Sequence, residues 1–407
     1  MLINTKPRKA ILLSLIAFLS FLGCNKPENE KPSSLVKTIS PSQSPVNSDV
    51  AGKSGGITST TGFPIIDLGE GIANGVNLSG KVAGQFWIQQ SGSPHAYLWF
   101  MRNGGKDLGC FGDGPLEEYS EAIDINDLGQ VVGSSWMPIE ATITTRAFLW
   151  SKNGGMVNLG TSGEPDQSKP QGEMYSYAFG INNKGDIVGE VDNLAFLWTK
   201  KDGMVLLNPL LPTWQWWSTA WDINDYRQVA GSGQADHSVS DLREYHALLW
   251  TGVGEMLDLG TLKKHSQALG INNREVVVGG SSDQEKDYVH ERIGFTGWCN
   301  EFDPLCVPFM WTKQYGMFQL PTLDEDVVMG CANGINDLGQ VIGWSYTAEG
   351  EVHAFLMTSK NGIKDLGTLP GDNESVAYGI NNLGQVVGYS YIRTVDPYPH
   401  AVIWTVK

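Results

Sequence analysis

The side chains with most chemical capability lie outside any catalytic motif. Trp214, Trp216, Trp217 and Trp221 place four indoles within eight residues, in and just past the run Leu211-Pro212-Thr213-Trp214-Gln215-Trp216-Trp217. Exposed, such rings are flat surfaces that stack on sugar rings or anchor a protein partner; buried, they fill a wide joint. Trp298 stands between an acidic run (Asp283, Glu285, Asp287, Glu291) and a loop bracketed by Cys299 and Cys306. A disulfide between those two cysteines would pin a loop that has no packing of its own, which makes Trp298 a second candidate ligand-binding residue. Cys110 and Cys331 fall at equivalent joints of the chain, and spacing leaves their pairing open.

Metal and acid–base chemistry find less support. The run Asp124-Ile125-Asn126-Asp127-Leu128-Gly129 has the superficial look of a calcium loop, but Leu128 stands where an oxygen ligand is required and Ser135 occupies the twelfth position. It reads as a hairpin turn. Asp124 and Asp222 each replace a small Gly of a repeated phrase, and facing a central channel they would either hold a cation or stay solvated. His95, His246, His353 and His400 share one repeated strand position, which suits stabilising hydrogen bonds better than a catalytic set. The repeats carry no Gly-x-Ser-x-Gly nucleophile elbow, and the chain has no His-Glu-x-x-His and no phosphate-cradling glycine loop. No catalytic residue, metal ligand or cofactor is therefore assigned.

The elements that position these residues are written in a repeat. Seven times the chain spells Ala, any residue, Gly or Asp, Ile or Val, Asn; the copies end at Asn77, Asn126, Asn182, Asn224, Asn272, Asn336 and Asn381. Seven residues past each Asn stands a Gly: Gly84, Gly133, Gly189, Gly231, Gly279, Gly343 and Gly388. The phrase is a strand, the Asn opens a tight turn, and a second strand follows, closing a hairpin. Three residues past the Asn the turn takes Gly in five copies, where a positive φ is needed, but Arg227 and Glu275 in two; those two turns should be strained. A second hairpin follows, with a phrase such as His353-Ala354-Phe355-Leu356-Met357 and then Asp365-Leu366-Gly367. The third-strand phrase ends in Trp in six copies, a large ring better explained as core between repeats than as a ligand platform.

Four strands per unit of about 42 to 64 residues match a blade of a propeller. The expected fold is all-β: a seven-bladed β-propeller with four antiparallel strands per blade, against a solenoid or an eight-bladed ring. The final copy stops at Trp404-Thr405-Val406-Lys407 without a fourth strand, while Phe63-Pro64-Ile65-Ile66-Asp67-Leu68-Gly69 precedes the first copy and looks like one. The N-terminal strand is therefore expected to close the last blade, which removes an open edge. The tight turns would fall on one face of the ring and the variable connections on the other, so the variable face is the expected recognition surface.

With the His-Ala-Phe-Leu-Trp, Asp-Leu-Gly-Thr-Leu and Gly-Ile-Asn-Asn-x-Gly-x-Val-Val-Gly phrases in view, residues 62–407 resemble the HAF family of extracellular repeats. That resemblance implies export and a repeat architecture, and it carries over no catalytic residues. The chain ends agree with export. Lys6, Arg8 and Lys9 precede an apolar stretch of about 14 residues, short of the roughly 20 that span a bilayer. Leu22-Gly23-Cys24 resembles a bacterial lipobox, implying cleavage before Cys24 and a lipid on its sulfur; Asn25 fits the outer membrane of a Gram-negative host. Residues 1–23 are thus read as signal peptide, 24–61 as a lipidated tether rich in Ser, Pro, Lys and Asn, and 62–407 as the propeller. The formal charge of −16 becomes −19 once the three leader cations are removed, which disfavours nucleic acid and anionic lipid as partners. The expectation is a monomeric, extracytoplasmic, lipid-anchored binding module that presents one loop face to a glycan or protein, touching the membrane only through its lipid. A polysaccharide-active hydrolase or lyase, and a structural envelope protein, are the alternatives.

Overall fold

The Ala-x-(Gly/Asp)-Ile/Val-Asn phrase forms a strand because its Ala packs inward and its branched residue extends the backbone, but it does not pair evenly. In the computed structural model every copy carries a β-bulge. Ala122 pairs with Gly133 and Asp124 with Val132, so Ile123 is left as an extra residue between them. The same shift falls between Ala73 and Gly75, Ala178 and Gly180, Ala220 and Asp222, Ala268 and Gly270, Ala332 and Gly334, and Ala377 and Gly379. A bulge bends its strand toward the partner and re-aims the extra side chain. This explains the glycine seven residues past each Asn. A Cβ on Gly133 would lie 1.9 Å from the carbonyl oxygen of Glu121, and one on Gly84 would lie 2.0 Å from that of Ile72.

The structure describes residues 57–87, 93–100, 104–112, 118–139, 142–161, 174–207, 217–235, 244–283, 305–392 and 398–406. All belong to the unit Asp49–Lys407. Among the described residues the chain is all-β: five separate four-stranded antiparallel sheets and one larger sheet, with no helix. The larger sheet contains the strand Pro64–Val76, which serves two neighbours in turn. Its first half pairs with His400–Thr405 in the register Ile65↔Trp404, Ile66↔Ile403 and Asp67↔Val402; its second half pairs with Lys81–Trp87. Residues 57–61, which composition assigns to the tether, are in contact with this sheet: Thr58 pairs with Pro64 and the Thr60 amide donates to the Thr368 carbonyl at 3.0 Å. A two-residue strand is too short to leave a periodic signal.

Each repeat leans on the next. Val188, Ala195 and Leu207 of the third repeat share a buried cluster with Ala220, Val229, Leu248 and Trp250 of the fourth. The seventh and first repeats are joined likewise, through Val387, Ala401 and Ile403 against Ala73, Val82 and Trp99. The third-strand rings Trp99, Trp150, Trp250, Trp311 and Trp404 are buried, while Trp198 is half-buried. A repeated serine adds a polar staple: Ser120 Oγ accepts from the Ala96 amide at 2.9 Å and donates to the Gly109 carbonyl at 2.6 Å, and Ser176, Ser266 and Ser375 do the same between later repeats.

The repeated histidines are structural. His95, His246, His353 and His400 meet Asp107, Asp258, Asp365 and Asp67 through Nδ1, at 3.0, 2.8, 2.8 and 3.1 Å. Each of these aspartates also accepts the amide of the Gly two residues on, at 2.7 or 2.8 Å, and those glycines hold positive φ. The Asp-Leu-Gly phrase is thus a turn motif locked by its own acid.

Candidate functional site

The first strands of all seven repeats surround one cavity of about 350 Å³. Three layers of side chains line it, each set by one position of the repeated phrase. The deepest layer is the bulged residue, the one position of the phrase free to vary. It contributes aromatic rings at Phe179, Trp221 and Tyr378, aliphatic groups at Ile123 and Leu269, and amides at Asn74 and Asn333. Phe179 and Trp221 lie against each other with centroids 4.6 Å apart, Tyr177 stacks behind Phe179 at 6.0 Å, and Trp221 Nε1 donates to Ser232 Oγ at 3.3 Å. The two amides point across the gap to the next repeat: Asn74 Nδ2 donates to the Ala122 carbonyl at 2.8 Å and Asn333 Nδ2 to that of Ala377 at 2.9 Å. Trp344, from a second strand, extends the aromatic wall.

The next layer is the Gly/Asp position. Neighbouring first strands approach closely here: a Cβ on Gly75 would come within 3.1 Å of Asp124, and one on Gly180 within 3.1 Å of Asp222. A residue with a Cβ therefore fits only between glycines, and Asp124 and Asp222 are separated by Gly180. Each carboxylate is held by two amides. Asp124 accepts from Ile125 at 2.7 Å and Ile181 at 2.9 Å; Asp222 accepts from Ile223 at 2.7 Å and Ile271 at 2.8 Å. Burial pushes both carboxyls up, and the charge of Asp124 pushes Asp222 further, to about 7. Both acids line the cavity and also bridge one repeat to the next.

The motif asparagine and its successor form the mouth. The Nδ2 of each motif Asn donates to the carbonyl of the next: Asn77 to Asn126, Asn126 to Asn182, Asn182 to Asn224, Asn224 to Asn272, Asn272 to Asn336, Asn336 to Asn381, and Asn381 back to Asn77, all at 2.9 to 3.1 Å. Their Oδ1 atoms accept amides of their own turns, as Asn381 does from Leu383 and Gln385, both at 3.0 Å. The following position runs Leu78, Asp127, Asn183, Asp225, Asn273, Asp337, Asn382. From Leu78 to Asp337 each backbone amide donates to the next side chain's Oδ1 at 2.8 or 2.9 Å. Acid alternates with amide, so Asn183 and Asn273 Nδ2 bond the carboxylates on both sides and keep like charges apart. Alternation cannot close over seven positions, and Leu78 fills the odd one. With Leu78, Asp127 and Asn183 exposed, the cavity opens among the tight turns, on the side opposite the variable loops.

Behind the wall, Glu121 is buried, its Oε1 accepting from Ser134 Oγ at 2.7 Å and its Oε2 from Tyr119 Oη at 2.9 Å. Burial raises its pKa although both hydroxyl bonds pull the other way. Among the described residues no group of three or more His, Cys, Asp or Glu side chains is arranged to hold a metal ion.

Of the residues singled out from sequence, Trp221 lines the cavity and Trp217 is half-buried, packed edge-on against Tyr245 at 5.2 Å. Cys24, Trp214, Trp216, Trp298 and Cys299 lie outside the described residues. Cys306 is buried and disulfide-bonded. Cys110 and Cys331 are not in disulfides, so they do not bridge to each other. Asn74, Phe179, Asn333 and Tyr378 are site residues that sequence reasoning passed over. Their signal was present: within a phrase repeated seven times, only their position varies freely.

A family model described as a protein of unknown function (DUF3466) matches residues 83–216. No curated protein matches the chain. Among solved structures it is similar to a selenomethionine-substituted virginiamycin B lyase from Staphylococcus aureus, at 12% identity and a TM-score of 0.50, over 85% of this chain and 100% of that one. At that identity the likeness is one of fold, and the fold is propeller-like.

Proposed function

We propose that the chain is a seven-bladed β-propeller, exported and tethered to the cell envelope by lipid on Cys24, that binds a glycan rather than transforming it. The circular run of motif asparagines and the pairing of Ile65 with Trp404 support a ring in which the N-terminal strand completes the last blade. One observation carries the binding reading: the freely varying position of the repeat supplies the cavity wall. A residue needed only for folding would repeat with the rest of the phrase, whereas this one differs from blade to blade as a ligand's outline would require. The wall combines flat rings (Phe179, Trp221, Tyr378) with amides and carboxylates at fixed positions, the combination that stacks on a sugar ring and takes its hydroxyls. The cavity of about 350 Å³ is at the small end of ligand pockets, suited to one or two sugar units.

The test is a glycan-array screen of the mature chain in detergent, followed by calorimetry of any hit with Trp221→Ala. Loss of affinity by about tenfold or more is expected. A glycan that binds the variant as well as the native chain would remove the cavity from the account. The second reading, a hydrolase or lyase acting on polysaccharide, draws on Asp222, which lines the cavity and whose carboxyl is held up, at about 7, by burial and the charge of Asp124. Turnover of a bound glycan that Asp222→Asn abolishes would favour it.

A further inference from the structure

The cavity has a charge character that the binding of a neutral sugar does not require. Five carboxylates face it: Asp124 and Asp222 within, Asp127, Asp225 and Asp337 at the mouth. No Lys, Arg or His is among the described residues that line it; Lys184 and Arg274 stand exposed at turn tips outside the wall. The hydrogen bonds that hold these acids come from neutral donors, namely backbone amides and the side-chain amides of Asn183, Asn273 and Asn382. These donors bring no countercharge, and because burial raises both inner carboxyls, Asp222 to about 7, the negative charge is concentrated at the mouth. The rings of Phe179, Trp221 and Tyr378 line the same cavity, and an aromatic ring also attracts a cation. A cavity that joins aromatic faces to uncompensated negative charge repels an anion and gains little from a neutral ligand.

We infer that the ligand is a sugar bearing a free, protonated amine, whose ring lies on the aromatic wall while its ammonium faces the carboxylates. This rests on the sugar-binding reading above and adds the charge class to it. Uronic acids, phosphorylated sugars and N-acetylated amino sugars are then poor ligands, the first two through repulsion and the last because acetylation removes the charge. The alternating rim admits the ammonium at the mouth and passes it inward to the Asp124 and Asp222 pair.

Calorimetry with glucosamine, N-acetylglucosamine, glucose and glucuronic acid, on the mature chain in detergent at low and high salt, separates the possibilities. Glucosamine is expected to bind at least about tenfold more tightly than glucose or N-acetylglucosamine, and glucuronic acid most weakly. That preference should shrink in high salt and in Asp222→Asn. Because Asp222 also bridges two repeats, the mouth variants Asp127→Asn and Asp225→Asn are measured beside it; each can keep its Oδ1 acceptor for the backbone amide and loses its charge together with the rim bonds from Asn183 and Asn273. Equal affinity for glucosamine, glucose and N-acetylglucosamine overturns the charge inference and leaves the sugar reading standing. Binding of methylammonium alone, with no contribution from any sugar ring, overturns the sugar reading and this inference with it.

Discussion

Replacing Gly133 by Ala tests the link between the repeated phrase and the bulge. Gly133 has no positive φ, so an added methyl carries no backbone penalty there, and the smaller entropy of the unfolded chain would alone stabilise by about 0.4–1 kcal/mol. The folded state opposes it. The new Cβ would lie 1.9 Å from the Glu121 carbonyl oxygen and 3.0 Å from the Phe148 ring, and backbone cannot swing aside as a side chain can. Relief requires the two strands to part at the bulge. That sacrifices ladder hydrogen bonds at about 0.5–1.5 kcal/mol each and adds an overpacking cost of about 1–3 kcal/mol. The net is a destabilisation of about 2–4 kcal/mol. Gly154→Ala is the control, since its Cβ would meet only the movable Ser151 Oγ, at 2.8 Å, and it should change stability by less than about 0.5 kcal/mol. Chemical denaturation of the two variants beside the native chain reads the difference. Gly133→Ala unfolding at the same denaturant concentration as the native chain would refute the steric reason for the repeated glycine.

Other perturbations probe other layers. Asn224 is buried and its side chain makes four hydrogen bonds, to Asn272, Gln228 (twice) and Tyr226, so Asn224→Ala should cost about 2–4 kcal/mol and loosen the turns of the neighbouring repeats, seen as faster hydrogen exchange at 272–276. Asp222 is raised from 3.8 to about 7, so the folded state holds its proton more tightly than the unfolded state does. Its contribution is complete below about pH 3.8 and is lost as pH rises through about 7, so unfolding titrations should show native stability falling over that window relative to Asp222→Asn. A native profile parallel to that of the variant would contradict the assignment.

The hairpins were readable because one phrase recurs seven times, and the turn chemistry followed from single residues. Arg227 and Glu275, standing where other copies have Gly, do take positive φ, at 65° and 60°. Arg227 is steadied there by a two-pronged bond to Asp186 at 2.7 and 2.9 Å. The positive φ of Asp192 and Asn193 escaped notice, although an Asp-Asn pair between two strands is a tight hairpin signal. The glycine at the seventh position was plain as a pattern while its cause was not, since the bulge becomes visible only when both strands are paired. The same bulge hid the site: strict alternation would bury the variable residue between sheets, and the shift turns it into the cavity. The acid and amide alternation of the rim also lies across repeats, at separations of 42 to 64 residues, where no local reading of the chain looks.

Whether the first and last repeats meet is tested most directly by a cysteine pair, Ile66→Cys with Ile403→Cys, placed at directly opposed positions of the strands Pro64–Val76 and His400–Thr405. Opposed Cβ atoms in such a pair stand about 4.5–5.5 Å apart, close enough for a bridge to form with small adjustment. Mild oxidation of the folded protein, followed by digestion and mass spectrometry, should recover one peptide joining residues 66 and 403. Recovery of both cysteines as separate thiols, each alkylated under native conditions, would mean that the ring does not close there and that the cavity at its centre is not enclosed as described.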